Sequence, residues 1–110
     1  MKEGDIMLAS LQQADGQRKL RPVLLIKQVP PFQDWLVCGI SSQLRQAVPD
    51  FDEIVQVADN DFSQSGLTVP SVIRLGFLAT LPKKDLAGKL GDISTYRYER
   101  IKENLIAMLR

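Results

Sequence analysis

The sequence predicts an α+β domain: an antiparallel sheet of about five strands, short helical turns, and one amphipathic helix at the C-terminal end. Three observations lead there. Five stretches rich in β-branched and other apolar residues are separated by Gly, Pro and Asp turn signals. Only the segment from Ser94 to Arg110 repeats its apolar residues at clear helical spacing. No internal repeat, low-complexity tract or shift of composition divides the 110 residues, so a single domain spanning 1–110 is expected. Strands first and a helix last fit an α+β layer rather than an alternating α/β sheet.

Each element has its own warrant. "GDIMLASL" (Gly4 to Leu11) opens as a strand, and Ala14, Asp15 and Gly16 have the turn chemistry to close it. "LRPVLLIKQV" (Leu20 to Val29) is almost continuously apolar, as a strand covered on both faces would be. Pro22 fits only near its start or on an edge, because proline gives the ladder no N–H, and it pushes Arg21 toward an extended backbone. "VPPF" (Val29 to Phe32) breaks the chain. "DWLVCGIS" (Asp34 to Ser41) is a third strand ending in the hydroxyls of Ser41 and Ser42.

"FDEIVQV" (Phe51 to Val57) alternates as a fourth strand. "NDFSQSGL" (Asn60 to Leu67) reads as a helix of one or two turns that Gly66 stops. "SVIRLGFLATL" (Ser71 to Leu81) is the fifth strand, with Gly76 marking a bulge or a close backbone approach. Ser94 is the expected N-cap of the final helix, with Ile93 and Tyr98 placed for a hydrophobic staple. Tyr98, Ile101, Leu105, Met108 and Leu109 form its apolar face; Arg100, Glu103 and Arg110 lie opposite.

Composition narrows the chemistry. A net charge of +1 excludes a wholesale basic nucleic-acid binder, so an anion site must come from local clustering. Between Gly16 and Gln33 stand Arg18, Lys19, Arg21 and Lys27 with no acid; between Asp50 and Asp61 stand five acids with no cation. With no histidine, Ser-His-Asp triads and imidazole zinc sites are excluded. The single cysteine, Cys38, cannot make an internal disulfide and, lacking a histidine to activate it, reads as a small core residue. Catalysis would have to use carboxylates, hydroxyls and arginine. No apolar segment reads as a signal peptide or membrane span, so a cytoplasmic protein is expected.

"GDI" at 4–6, "RPVLLI" at 21–26, "GISSQ" at 39–43, "SGL" at 65–67 and "SVIRL" at 71–75, with a Gly-containing loop after the first, stand in one order along almost the whole chain. In this the sequence resembles the MazF/PemK toxins. The resemblance implies a small, partly open, SH3-like antiparallel β-barrel and a homodimer. It further implies a growth-inhibiting toxin of a type II toxin–antitoxin system, an endoribonuclease that cleaves single-stranded RNA at short sequences with neither metal nor cofactor. A cognate antitoxin would block the groove with its disordered tail, and operator DNA would be bound only through the toxin–antitoxin complex. Carried over residue by residue, the arginine of the "RP" pair is Arg21 and the hydroxyl after the third strand is Ser41, the two expected catalytic residues. Arg74 matches an arginine found in some members, where it helps hold the scissile phosphate.

The residue chemistry agrees. A guanidinium keeps its proton in proteins and cannot act as a base, but its planar fork of donors suits two oxygens of one phosphate. When a 2′-hydroxyl attacks phosphorus, charge grows on the non-bridging oxygens, and a fixed cation stabilises that state more than the ground state. Ser41 can donate to the same phosphate or to the leaving oxygen. Gln17, Arg18 and Lys19, in the loop between the first two strands, are expected to meet RNA phosphates, and Gln43 the bases, with Phe32 and Trp35 as weaker candidates. For Arg74 a structural ion pair with Asp52 or Glu53 is an equal alternative. Where many members have an acid two residues beyond that arginine, this chain has Gly76, which predicts weakened proton transfer. The competing reading is a binding module of the same fold without catalysis, akin to a gyrase poison or a degenerate toxin.

Overall fold

The computed structural model describes all residues 1–110. Six strands form one antiparallel half-barrel sheet: β1 (Asp5–Gln12), β2 (Arg18–Val29), β3 (Asp34–Ser41), β4 (Glu53–Val55), β5 (Ser71–Leu81) and β6 (Leu86–Asp92), in the order β4-β5-β3-β2-β1-β6. Two helices accompany them, α1 (Phe62–Ser65) and α2 (Thr95–Leu109), with 3-10 turns at Leu44–Gln46 and Lys83–Asp85. The α+β class, the first three strands and the last helix agree with the sequence reading, except that β2 begins at Arg18: Arg18 and Lys19, expected in the loop, are strand residues paired with Gln12 and Leu11 of β1.

Two corrections apply. There are six strands rather than five. β6, "LAGKLGD", escapes a propensity reading because two glycines and a lysine weaken its strand signal; pairing with β1, from Asp5 with Asp92 to Ala9 with Leu86, is what makes it a strand. β4 is also shorter than Phe51 to Val57. Asp52 takes the place of further ladder: its carboxylate accepts from the amides of Val48 and Leu75, both at 2.9 Å.

The continuous hydrophobicity of β2 has the expected cause. Leu24 and Ile26 face one core, shared with Ile6, Cys38, Ile73 and, from α2, Tyr98, Ile101 and Leu105. Val23 and Leu25 face a second core on the opposite side of the sheet, with Met7, Trp35, Val37 and Leu81. Pro22 sits where β2 pairs with β1 but not with β3, so one side of the strand is open there.

Helix α2 begins as the sequence predicts. Ser94 accepts at its Oγ from the Arg97 amide at 3.1 Å, and Ile93 and Tyr98 both join the first core. Gly66 ends α1 in the left-handed region at φ +73°, and a side chain there would run into the backbone of Leu90. That close approach carries α1 onto β6, so the segment after β4 reaches the opposite edge of the sheet and gives one side of a cleft. No helix is long and apolar enough to cross a membrane.

Candidate nucleic-acid interface

The cleft lies where β2 outruns β3. Val23 is the last β2 residue paired with β3, opposite Gly39, and Gly39 is in turn paired with Arg74 of β5. Opposed residues share a face, and so do residues two apart on one strand. Arg21, Gly39, Ser41 and Arg74 therefore stand on one side of the sheet. All four line a cleft of about 760 Å³, together with Gln12 and Gln13 from β1 and its turn, Ser42, Gln43 and Gln46 after β3, and Gly66 to Val69 after α1.

Its electrostatics are simple. Arg21 and Arg74 are the only charged side chains in the lining, and no carboxylate, imidazole or thiol is present. Arg21 is exposed and Arg74 half-buried, and neither makes a salt bridge within 4.0 Å. The alternative of a structural pair for Arg74 is overturned: Asp52 serves the Val48 and Leu75 amides, while Glu53 binds Arg97 at 3.0 Å and Arg100 at 2.7 Å. Two guanidiniums without counter-charges in one concave site form a receptor for an anion.

Ser41 is oriented by its own turn. Its Oγ accepts from the Gln43 amide at 3.0 Å, which leaves its hydroxyl hydrogen free to donate into the cleft. Gln43 accepts at Oε1 from Arg45 Nη1 at 2.7 Å, so its NH₂ group is the end left for a ligand.

The β1–β2 hairpin residues sit elsewhere. Arg18 donates from Nε to Ser10 Oγ at 2.9 Å and from Nη2 to the Ser10 carbonyl at 2.6 Å, and meets Asp85 at 3.5 Å. Gln17 closes the turn through its amide to Asp15 Oδ1 at 2.9 Å. Neither lines the cleft, nor does Lys19, which is exposed opposite Leu11. Phe32 is exposed at the β2–β3 turn outside the cleft, and Trp35 is buried in the second core.

Cys38 is fully buried, and desolvation, with the Asp52 charge adding to it, pushes its thiol up to about 12, which fits a core residue and not a nucleophile. Gly76 forms part of a β5 bulge: β3 pairs through Cys38 with Leu78 and then through Gly39 with Arg74. A Cβ at 76 would meet nothing within 4 Å and the residue does not line the cleft, so the geometry lends no support to the expected weakening.

Two residues were missed by sequence reasoning. Phe77, just past the bulge, lines the cleft; its position across from Gly39 depends on a register shift that no local pattern reveals. Arg97 does carry a signal in the sequence: it lies four residues before Ile101 on the inward side of α2, and the five-acid segment holds no cation of its own. It is buried, and all five of its N–H donors are used, by Asp61 (2.8 and 3.0 Å), Asp59 (2.9 Å), Glu53 (3.0 Å) and the Ile54 carbonyl (3.0 Å). Asp61, at the N-cap of α1, makes no capping bond there because its carboxylate is given to Arg97 and the Ser94 amide.

The chain is similar in structure to the Mycobacterium tuberculosis toxin MazF-mt6, with a TM-score of 0.71 and 22% identity over 96% of this chain and 95% of that one. It is also similar to an endoribonuclease from a Mycobacterial species solved in complex with its cognate antitoxin, with a TM-score of 0.73 and 15% identity over 99% and 94% of the two chains. MazF from Deinococcus radiodurans gives a TM-score of 0.71 and 16% identity over 99% and 96%. No curated protein sequence matches significantly. The profile of the PemK-like, MazF-like toxins of type II toxin-antitoxin systems matches residues 2–109, and with that match over nearly its whole length the chain belongs to this toxin family.

Proposed function

We propose that this toxin is a metal-independent endoribonuclease that cleaves single-stranded RNA at short sequences. The observation that carries the reading is the single cleft in which Arg21, Arg74 and Ser41 share one face of the sheet with no acid beside them. Arg21 and Arg74 hold the non-bridging oxygens of one phosphodiester, and Ser41 donates to the same group or to the leaving oxygen. The 2′-oxygen forms its bond to phosphorus as the bond from phosphorus to the 5′-oxygen breaks, leaving a 2′,3′-cyclic phosphate and a 5′-hydroxyl. The lining has no side chain suited to take the 2′-hydroxyl proton or to protonate the leaving 5′-oxygen, so water receives the one proton and supplies the other, and catalysis rests on charge stabilisation. Metal independence has the same support, since the lining lacks carboxylate, imidazole and thiol ligands.

Gln43 presents its NH₂ group to base carbonyls. Lys19, two residues before Arg21 on β2, extends the positive path, whereas Arg18, held by Ser10 and Asp85, and Gln17 in the turn stand away from it. A homodimer in the cytoplasm completes the reading, with an acidic antitoxin segment covering the cleft and operator DNA reached only through that complex. The relatives solved with a cognate antitoxin or with MazE support the antitoxin part.

The test is purified protein incubated with long single-stranded RNA in a chelator. Discrete fragments ending in 2′,3′-cyclic phosphate are expected, and they disappear with Arg21→Ala. Intact RNA at micromolar protein would overturn the reading and leave the non-catalytic binding module.

A further inference from the structure

The aromatic ring in the cleft belongs to neither core. Phe77 is 42% exposed and stands outside both buried clusters, yet it is not loose on the surface. A Cβ on Gly39 would lie 2.8 Å from its Cδ1, 3.1 Å from its Cγ and 3.3 Å from its Cε1, so the ring rests directly on the β3 backbone at the one position there without a side chain. Gly39 is the residue paired with Arg74 on one side and with Val23, two residues from Arg21, on the other. The ring thus lies on the same face of the sheet as Arg21 and Arg74 and lines the same cleft, with part of its surface exposed there.

We propose that Phe77 is a base-stacking platform that holds the nucleobase next to the phosphate bound by Arg21 and Arg74. An exposed aromatic face beside an anion site suits an unpaired nucleotide, which offers a π-face and a phosphate on one unit. The charge of the lining, two arginines and no acid, selects that occupant over an apolar peptide side chain. Stacking accepts every base, so Phe77 supplies affinity and base placement, while sequence choice falls to the amide groups of Gln12, Gln13, Gln43 and Gln46 around it. The inference rests on the RNA reading above and adds the residue that receives the base.

The test uses short 2′-O-methyl oligoribonucleotides of randomised sequence, which cannot be cleaved, and abasic oligomers with the same backbone. Phe77→Ala and Phe77→Leu are expected to weaken binding of the base-bearing oligomer by roughly 5- to 150-fold and to leave the abasic one unchanged. Phe77→Leu keeps the apolar bulk and guards against a folding defect. Phe77→Trp should keep affinity, and its emission should be quenched by the base-bearing oligomer alone; the native tryptophan, Trp35, is buried. Equal binding of both oligomers by wild type and Phe77→Ala would overturn the proposal while RNA cleavage could stand. A shift in self-association with no change in the base-bearing to abasic ratio would assign the ring to an interface between copies and overturn it too. If wild type binds no oligomer, the RNA reading and this inference fail together.

Discussion

Arg97 and Arg21 are the same side chain put to opposite uses. Arg97 is buried and surrounded by Asp61, Asp59 and Glu53, with every donor satisfied. Arg21 faces a cleft shared with Arg74 and has no carboxylate partner. One locks α2 to the segments around β4 and α1; the other has donors free, as the proposed phosphate site requires. The difference explains how a chain of net charge +1 can hold a cationic site: much of the acidity between Asp50 and Asp61 is drawn to Arg97 and Arg100, neither of which lines the cleft. Where the acids are spent decides where the charge is left over.

The largest effects are expected from removing each arginine in turn. Arg97→Met leaves a cluster of carboxylates without their cation and should destabilise the fold by about 3–5 kcal/mol, seen as a large fall in the midpoint of urea unfolding. Arg21→Ala should do the reverse. It removes no ion pair, so unfolding stays near wild type, whereas RNA cleavage drops by about 100- to 1000-fold. If Arg21→Ala unfolded the protein, or Arg97→Met left its stability intact, the division into structural and functional arginines would be wrong.

A smaller effect separates the same two regions by pH. The hydrogen bonds from Arg97, opposed by desolvation, lower the Asp61 carboxyl from its ordinary 3.8 to about 2. A carboxyl whose folded value is depressed contributes stability above its unfolded value and loses it as pH falls through the folded one. That contribution, about 2 kcal/mol from the shift, should be complete above about pH 4 and lost toward pH 2. Thermal unfolding measured across this range should show the loss in wild type and a shallower one in Asp61→Asn. Equal slopes would detach Asp61 from acid stability.

What the sequence made legible follows from the range of each interaction. Ser94 as N-cap, Gly66 as helix stop and the two-faced β2 are local patterns, and each appears in the structure. Arg21 and Ser41 could be placed on one surface only through the family resemblance, because their proximity depends on β2–β3 register across some twenty positions of chain. β6 and Phe77 lay beyond reach for a related reason. The glycines that make room for α1 on β6, and the bulge that turns Phe77 over Gly39, weaken the local signal while creating the long-range contact. The cations at the start of β2 mislead in the other direction. Arg18 belongs to the same charge run as Arg21, but strand alternation and Ser10 turn it to a structural use.

The least effect expected, and the sharpest test of the cleft, comes from Gly39→Ala. The new methyl would collide with the Phe77 ring, not with backbone, and a side chain at a cleft wall can swing aside. Stability should therefore change by less than about 1 kcal/mol, well short of the overpacking cost typical of a closed core, while the ring loses its seat and RNA cleavage falls by roughly fivefold or more. Gly88→Ala is the control: it sits in β6 with open space where a Cβ would go, does not line the cleft, and should leave cleavage unchanged. Thermal unfolding and cleavage rates of the two variants, measured side by side, distinguish the outcomes. Full activity in Gly39→Ala would mean that the position of Phe77 does not matter to the substrate, and a core-sized loss of stability would mean that the ring is fixed as part of the fold.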